Sequence, residues 1–443
     1  MLKKIIEKAK AFGFDDFEII ETASQEVRLS LFKGNLDKNF TGCDKLYTLK
    51  GIINKKLASM NLEKNDKDLS DEEIDNLLAK LKENVLSITT NEEASVFGGS
   101  EKYAVLSERK VNINSKTTAE KIEMIKELEK KTYEASEKVE LVHSCQYFEG
   151  KDSLKIVNSK GLNLSKENEY CGIMLGCIVG ESKDNPNKQN GYARKITIDI
   201  NEFNLEKMYK EATEYGLSML GAKPVDSKSY KVIIEKDCMT SLLSGFSSIF
   251  SGESLLRKVT PLTTKLNEKI MSEKVTIIDD PLCDEAIIRS TFDSEGVATY
   301  TKNVVENGVF KTFLHNLKTA KALNTVSTGN ATKRGVSGMN LYIKNGDTSL
   351  DDMISSLDEG LLITNLAGLH AGLNAISGDF SGQASGYYIK DGKKVHPVTL
   401  VVLSGNFLTM MNDIVTIGND LEIQYNGYGA PSILFNSLPV SGK

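Results

Sequence analysis

The sequence predicts an α+β fold: a mixed α/β N-terminal domain followed by a strand-rich, largely antiparallel C-terminal domain. Three observations carry this. Before residue 222, segments of helical period alternate with short runs of alternating apolar and polar residues. After it, glycine and asparagine become frequent and strand-like runs dominate. Residues 297–314 read as a hairpin turning at Glu306-Asn307-Gly308, because Asn-Gly suits the tight turn between antiparallel strands. The 443 residues suffice for two domains with substantial cores, and 40% hydrophobic with 26% charged residues is an ordinary globular balance. Gly221-Ala222-Lys223-Pro224 interrupts the pattern, so the domains are expected at 1–222 and 223–443.

Residues 2–12 carry Leu2, Ile5, Ile6 and Ala9 on one helical face, and Gly13 ends that helix. Short strands are expected at 17–20, 27–31, 46–49 and 51–53, with Lys33-Gly34-Asn35 as a turn. Helical period returns over 71–84 through Ile74, Leu77, Leu78 and Leu81, with Ser70 as N-cap and Glu73 as its capping-box partner. Residues 117–136 give the longest helical signal. Strands at 139–145, 154–158 and 170–179 precede a polar turn at 181–191 and a helix at 203–220. In the second half, 231–234 reads as a strand. Residues 238–250 read as a helix turning Leu242, Phe246, Ile249 and Phe250 inward. A short helix at 352–357 and strands at 397–403, 414–417 and 421–425 complete the chain.

The stretch Gly360–Gly392 stands out, with apolar Leu361-Leu362-Ile363 at one end and Tyr387-Tyr388-Ile389 at the other. Its middle is rich in Gly, Asn and Ser, which reads as a long loop between buried strands. Such a loop is either a turn between core strands or a wall of a binding groove.

A formal net charge of −6 opposes a general nucleic-acid surface. No apolar run is long enough to span a bilayer. The six cysteines, Cys43, Cys145, Cys171, Cys177, Cys238 and Cys283, form no CxxC pair, and the start is an amphipathic helix rather than a secretory leader. Reduced thiols in the cytoplasm are therefore expected. Walker A, GxSxG, dinucleotide-binding and HExxH signatures are absent. His143, His315, His370 and His396 are dispersed and read as structural or surface residues; His370 alone falls in the glycine-rich stretch.

Blocks from Asp279 onward resemble the TldD/PmbA family, formerly called modulators of DNA gyrase. They are Asp279-Asp280-Pro281-Leu282, Thr291-Phe292-Asp293-Ser294-Glu295-Gly296, and Ser327-Thr328-Gly329-Asn330-Ala331 with Arg334. Next come Gly378-Asp379-Phe380-Ser381 with Gly386-Tyr387, then Ser404-Gly405-Asn406 and Ile417-Gly418-Asn419-Asp420-Leu421. Ser441-Gly442-Lys443 is the last block. In order they span nearly all of 279–443, while the first half matches more loosely through Gly13-Phe14-Asp15-Asp16.

The resemblance implies one of two roles. TldD-type chains are metallopeptidases with an HExxxH helix and a later cysteine as third ligand. PmbA-type chains, also called TldE, lack those ligands and pair with TldD. Here Ser244 and Ile249 stand where the histidines would be, and Gly245 where the glutamate would be. No cysteine follows Cys283. Serine is a poor ligand, isoleucine is none, and glycine cannot act as a base. On a regular helix, positions five apart diverge by about 140°, so the family's site implies a local distortion.

The expectation is a non-catalytic, PmbA/TldE-like subunit, without catalytic or metal residues of its own, of a cytoplasmic heterodimeric metallopeptidase acting on peptides or unfolded segments. The metal ion belongs to a TldD-like partner, no nucleic acid or membrane is involved, and the chain alone can form a homodimer. Asn330, Arg334, His370, Asn374, Asp379 and Ser381 are the candidates to line the substrate chamber, where an extended peptide would add to an exposed strand edge. Two alternatives stay open: a self-sufficient hydrolase with an unrecognised site, or a protein-binding modulator of gyrase or of a toxin–antitoxin pair.

Overall fold

The structure is a computed structural model that describes residues 2–63, 69–89, 93–181 and 187–443. Helix α1 (Leu2–Ala11) opens the chain. A six-stranded antiparallel sheet follows, built from β1 (Asp16–Phe32), β2 (Asn35–Ile53), β3 (Lys56–Glu63), β4 (Val139–Asn158), β5 (Asn163–Val179) and β6 (Gln189–Thr197) in the order β3-β2-β1-β4-β5-β6. Between β3 and β4 lie α2 (Asp71–Leu86) and α3 (Thr118–Glu134), and α4 (Leu205–Ser218) follows β6.

Both long helices begin on capping boxes. Ser70 accepts from the Glu73 N–H while the Glu73 carboxylate accepts from the Ser70 N–H, and Thr117 and Glu120 do the same. The apolar face of α2 buries Ile74, Leu78, Leu81 and Val85 against Tyr47 and Leu49. Helices α3 and α4 bury Ile125, Leu128, Met208 and Ala212 against Leu29, Tyr147 and Ile173.

The strands are longer than the expected short runs, because the sheet continues through polar and glycine positions that carry no core signal. β1 is unbroken where two strands were expected, as is β4. The glycines do not break the sheet because aromatic rings roof them. A Cβ at Gly150 would strike the Tyr170 ring, and one at Gly172 the Phe148 ring. Part of the polar turn at 181–191 lies outside the described residues.

The second half begins with β7 (Lys228–Ile234) and α5 (Lys236–Phe246). Its strands are β8 (Ile277–Asp279), β9 (Lys302–Glu306), β10 (Val309–Phe310), β11 (Ala331–Thr332), β12 (Gly335–Val336), β13 (Leu341–Ile343), β14 (Glu359–Ala367) and β15 (Leu373–Asn374). They continue as β16 (Asp379–Lys390), β17 (Lys393–Asn406), β18 (Ile414–Ile417), β19 (Glu422–Ile423), β20 (Tyr428–Ala430) and β21 (Ile433–Ser441).

Strands β14, β7, β21, β17 and β16 pair in that order, and β16 pairs back to β14, so the sheet closes into a ring. Val232, Ile234, Leu361, Ile363, Ile433 and Phe435 point to one face of it, into the main core with α5. Ile233, Leu362 and Leu434 alternate to the other face, under Met353, Ile354 and Leu357. The expected hairpin is β9–β10, shorter than 297–314, and both turn residues hold positive φ (Asn307 48°, Gly308 79°), as a type I′ turn requires.

One expectation changes here. The glycine-rich middle of Gly360–Gly392 is not one long loop; most of it is β16, and only 368–378 turns back. Gly368 and Gly378 take positive φ in that turn, whereas within β16 glycine serves close approach: a Cβ at Gly386 would collide with the Leu362 carbonyl oxygen across the β14–β16 seam. Ring closure leaves only the short β15 and β18 off the ring path, while a second, open sheet of the order β10-β9-β8-β13-β20-β19 keeps β10 and β19 at its edges.

Two of the sequence blocks of the second half, at Asp279 and Asn330, meet at a carboxylate with no exposure, Asp279. Its Oδ2 accepts from Lys302 Nζ and from Asn330 Nδ2, each at 2.8 Å, and its Oδ1 accepts from the Met339 N–H at 2.5 Å. Replacing Lys302 with Met leaves that carboxylate buried without its cation. The expected loss is about 3–5 kcal/mol of unfolding free energy, read as a lower urea midpoint; a shift of only a few tenths of a kcal/mol would remove Asp279 from this role.

Candidate functional site

The segment that holds Ser244, Gly245 and Ile249, the three positions singled out by the sequence resemblance, is α5 and its continuation. The chain is α-helical to Phe246 and then tightens into a 3₁₀ turn, Ser247–Phe250, where a single helix over 238–250 was expected. The break falls between Gly245 and Ile249. Phe246, stacked on Phe407 at 4.7 Å, pins the end of the α segment, and Phe250 packs near Phe310. Hydroxyls hold the turn: Ser247 Oγ donates to the Ser244 carbonyl (2.8 Å) and meets Tyr428 Oη (3.1 Å), which meets Ser337 Oγ (3.0 Å).

The three motif positions differ in exposure. Ser244 is half-buried, Gly245 is exposed, and Ile249 is buried in the main core. A Cβ at Gly245 would strike the Leu373 side chain, so β15 lies over this position. One hydroxyl, one hydrogen and one buried alkyl group do not make a donor set for a divalent metal ion. Among the described residues, no group of three or more His, Cys, Asp or Glu is disposed to hold a metal.

Four of the six chamber candidates come together. His370, in the one-turn helix Leu369–Gly372, and Asn374, Asp379 and Ser381 are all exposed at one end of the ring. Asn374 pairs with Asp379 across β15–β16, and Asp379 pairs with Asn406 across β16–β17. Asn374 Oδ1 accepts from the Ile376 N–H (3.0 Å), closing a local turn. Hydrogen bonds from Asn406 and then Ser377 hold the Asp379 carboxyl below its ordinary pKa.

The other two candidates lie apart. Arg334 sits exposed in the β11–β12 turn. Asn330 is buried in the Asp279 network and accepts from Thr328 Oγ1, so it is a strut and lines no surface. The other motif acids are also structural. Asp293 accepts from the N–H groups of Glu295, Val297 and Ala331, and Asp420 from the N–H and hydroxyl of Ser432. Burial lowers the pKa of His315, whose Nδ1 lies 3.2 Å from Thr319 Oγ1. Leu373 and Tyr428 were missed in the sequence, since neither carries a spacing signal.

A cavity of about 1080 Å³ lies elsewhere. It opens between the N-terminal sheet and the loops of the second half, lined by Lys50, Asp152, Lys166, Glu295, Thr332 and Lys333 among others, and none of its lining residues belongs to α5. Half-buried Lys166 ties the halves together: its Nζ donates to Ser290 Oγ (2.6 Å) and the Phe292 carbonyl (2.8 Å) and lies 4.8 Å from the centre of the Phe292 ring.

A closed, mostly antiparallel ring carrying a helix that turns 3₁₀, beside a six-stranded sheet, defines an α+β scaffold with known counterparts. Residues 111–220 match the PmbA/TldA metallopeptidase central domain, and residues 227–442 match the PmbA/TldA metallopeptidase C-terminal domain. The chain belongs to the PmbA/TldD metallopeptidase family.

Among relatives, a "Metalloprotease" of Archaeoglobus fulgidus is 32% identical over 315 residues, 68% of this chain and 70% of that one. Metalloprotease PmbA of Escherichia coli O157:H7 is 28% identical over 278 residues, 62% of this chain and 60% of its own length. A solved structure from Thermotoga maritima, named for modulation of a DNA gyrase, superposes with a TM-score of 0.90 at 28% identity and covers 99% of each chain. TldE from Thermococcus kodakarensis shares the fold, with a TM-score of 0.88 at 22% identity over 100% of each chain.

Burial pushes the Lys166 pKa down from 10.5 to about 8, with the Asp293 charge opposing. A lysine with a lower pKa folded than unfolded costs stability while it is charged in both states, and that cost fades as pH rises through the folded pKa towards the unfolded one. The urea midpoint of the wild type, measured against Lys166→Met, is therefore expected to rise between pH 8 and 10.5. A difference that stays flat over this window would mean that Lys166 is not desolvated.

Proposed function

We infer that this chain is the non-catalytic subunit of a two-chain metallopeptidase. A TldD-like partner supplies the metal ion and the general base, this chain supplies part of the wall of a shared chamber, and the pair acts on peptides or unfolded segments. The observation that carries this reading is the content of the α5 segment. Amide hydrolysis needs an activated water and a stabilised oxyanion, both of which a metal provides. Ser244, Gly245 and Ile249 offer neither ligands nor a base, and Leu373 covers the position where a glutamate would stand. The scaffold around them is nonetheless kept: the Asp279 network, the Asp420–Ser432 contacts and the ring are the parts that a chamber wall needs. His370, Asn374, Asp379 and Ser381 form the exposed polar rim that would face the substrate.

The cytoplasm is the compartment this reading assigns, supported by six free cysteines, of which only Cys43 is exposed. The metalloprotease names of the relatives support the family half of the reading.

The test is a peptide-cleavage assay on this chain, the variant Ser244→His/Gly245→Glu/Ile249→His, a TldD-like partner, and the mixture of chain and partner. The expected result is cleavage that depends on the partner and is lost on chelation, with neither this chain nor the variant active alone. The variant stays inactive because the third donor is missing and Leu373 obstructs position 245. Chelator-resistant cleavage by the wild-type chain alone would overturn the reading in favour of a self-sufficient hydrolase.

A further inference from the structure

The cavity between the two halves holds a cation without a counter-charge. Four lysines line it: Lys45, Lys50, Lys166 and Lys333. Lys45 and Lys50 are ion-paired with Glu21 and Glu18, and Lys333 is exposed. Lys166 is half-buried and, among the described residues, makes no ion pair; its bonds go to Ser290 and Phe292. The lysines buried elsewhere are treated differently, since Lys121 is paired with Glu149 and Lys302 with Asp279. A charge taken out of water normally has such a partner.

Both groups that Lys166 does meet are neutral. Ser290 Oγ gives its own proton to the Phe292 carbonyl, so it accepts from Lys166 Nζ, and the same carbonyl accepts from Nζ as well. An ammonium has three N–H groups, so one is left over. Asp293, whose charge is felt at Lys166, is already committed to the N–H groups of Glu295, Val297 and Ala331.

An anion stands beside this cation on the same face of the sheet. In the β4–β5 pair Asp152 lies opposite Asn168 and Leu154 opposite Lys166. Asp152 and Lys166 are therefore diagonal neighbours, about 7–8 Å apart at the backbone. They do not pair with each other, because Lys166 leans into the second half. Asp152 opens into the cavity and, among the described residues, accepts no hydrogen bond. Lys333, Glu26, Tyr170 and Tyr425 are the titratable groups around it.

We propose that the β4–β5 end of this cavity binds a small zwitterion, an α-amino acid or a short peptide, with its carboxylate on Lys166 and its ammonium on Asp152. Asn168 sits beside both and adds a donor: its Oδ1 accepts from the Arg289 N–H, which leaves its amide N–H groups for the ligand. The ligand supplies what each charge lacks. Burial lowers the Lys166 pKa to about 8 and raises that of the Asp152 carboxyl, so the cavity disfavours both charged forms, and opposite charges brought by a ligand reverse both effects. The site lies on β4 and β5, with β1 and β2 between it and β3. It uses neither α5 nor the exposed rim, so it stands independently of the catalytic role assigned above.

The test screens the full chain by saturation-transfer NMR against two probe sets, the common α-amino acids and a series of alanyl dipeptides. Which set binds separates free amino acids from peptides as the source. The affinity of the best binder is then measured by calorimetry, beside its N-acetyl and its amide derivatives. The wild type is expected to bind each blocked derivative at least about tenfold more weakly than the zwitterion, as the loss of one charged hydrogen bond implies. Lys166→Met is expected to erase the preference for a free carboxylate over the amide and to keep the preference for a free ammonium. Asp152→Asn, at a position open to the cavity, is expected to do the converse. Absence of binding by either probe set, equal affinity for the zwitterion and its blocked forms, or variants that discriminate as the wild type does would each overturn the proposal.

Discussion

The second half of the molecule depends on one carboxylate taken wholly out of water. Asp279 ends β8, and its two oxygens reach Lys302 at the start of β9, Asn330 in the Ser-Thr-Gly-Asn loop and the backbone of Met339 before β13. A buried charge is tolerated only when it is paired and its lone pairs are met, and these three partners lie 23, 51 and 60 residues further along the chain. The need to satisfy one acid therefore fixes where three loops go. The same holds at smaller scale for Asp293, which accepts from backbone N–H groups of neighbouring loops, and for Asp420, which accepts from the N–H and hydroxyl of Ser432. The short motifs by which the family is recognised are, in this chain, mostly the hydrogen-bonding of loops.

Those loops surround the ring, and the ring carries α5. The helix is seated by Leu242, Phe246 and Ile249 in the main core, while its exposed side keeps serines and a glycine. At Ser244, Gly245 and Ile249 this chain has a tight 3₁₀ turn held by hydroxyls and a leucine laid across the glycine.

Local signals in the sequence were legible because their causes are local. Ser70 with Glu73 and Thr117 with Glu120 satisfy helix N–H groups a turn away, and Asn307-Gly308 takes the two positive φ values of its turn. The α+β class followed from such elements. Strand length was not legible, since Gly150 and Gly172 look like breaks until the Tyr170 and Phe148 rings cover them. Ring closure was hidden too, because the β14–β7 pairing is parallel and joins Leu361 to Val232 across the intervening core. Of the site, four candidates cluster as their sequence proximity suggested. Asn330 does not, because a turn asparagine and a buried strut read alike in one sequence.

The ring also sets an order on folding. β7 opens the second half, yet its two ring neighbours are β14 and β21, the latter about 200 residues further along. During synthesis the early strand therefore emerges with both edges unpaired and must wait for the rest of the half before either hydrogen-bonded flank exists. In the first half only β1 waits in this way, for β4; the other pairings join neighbouring strands. Ribosome-bound chains that have released the six-stranded sheet but not β21 would present Val232, Ile233 and Ile234 as an open, β-branched edge, the kind of segment that chaperones shield.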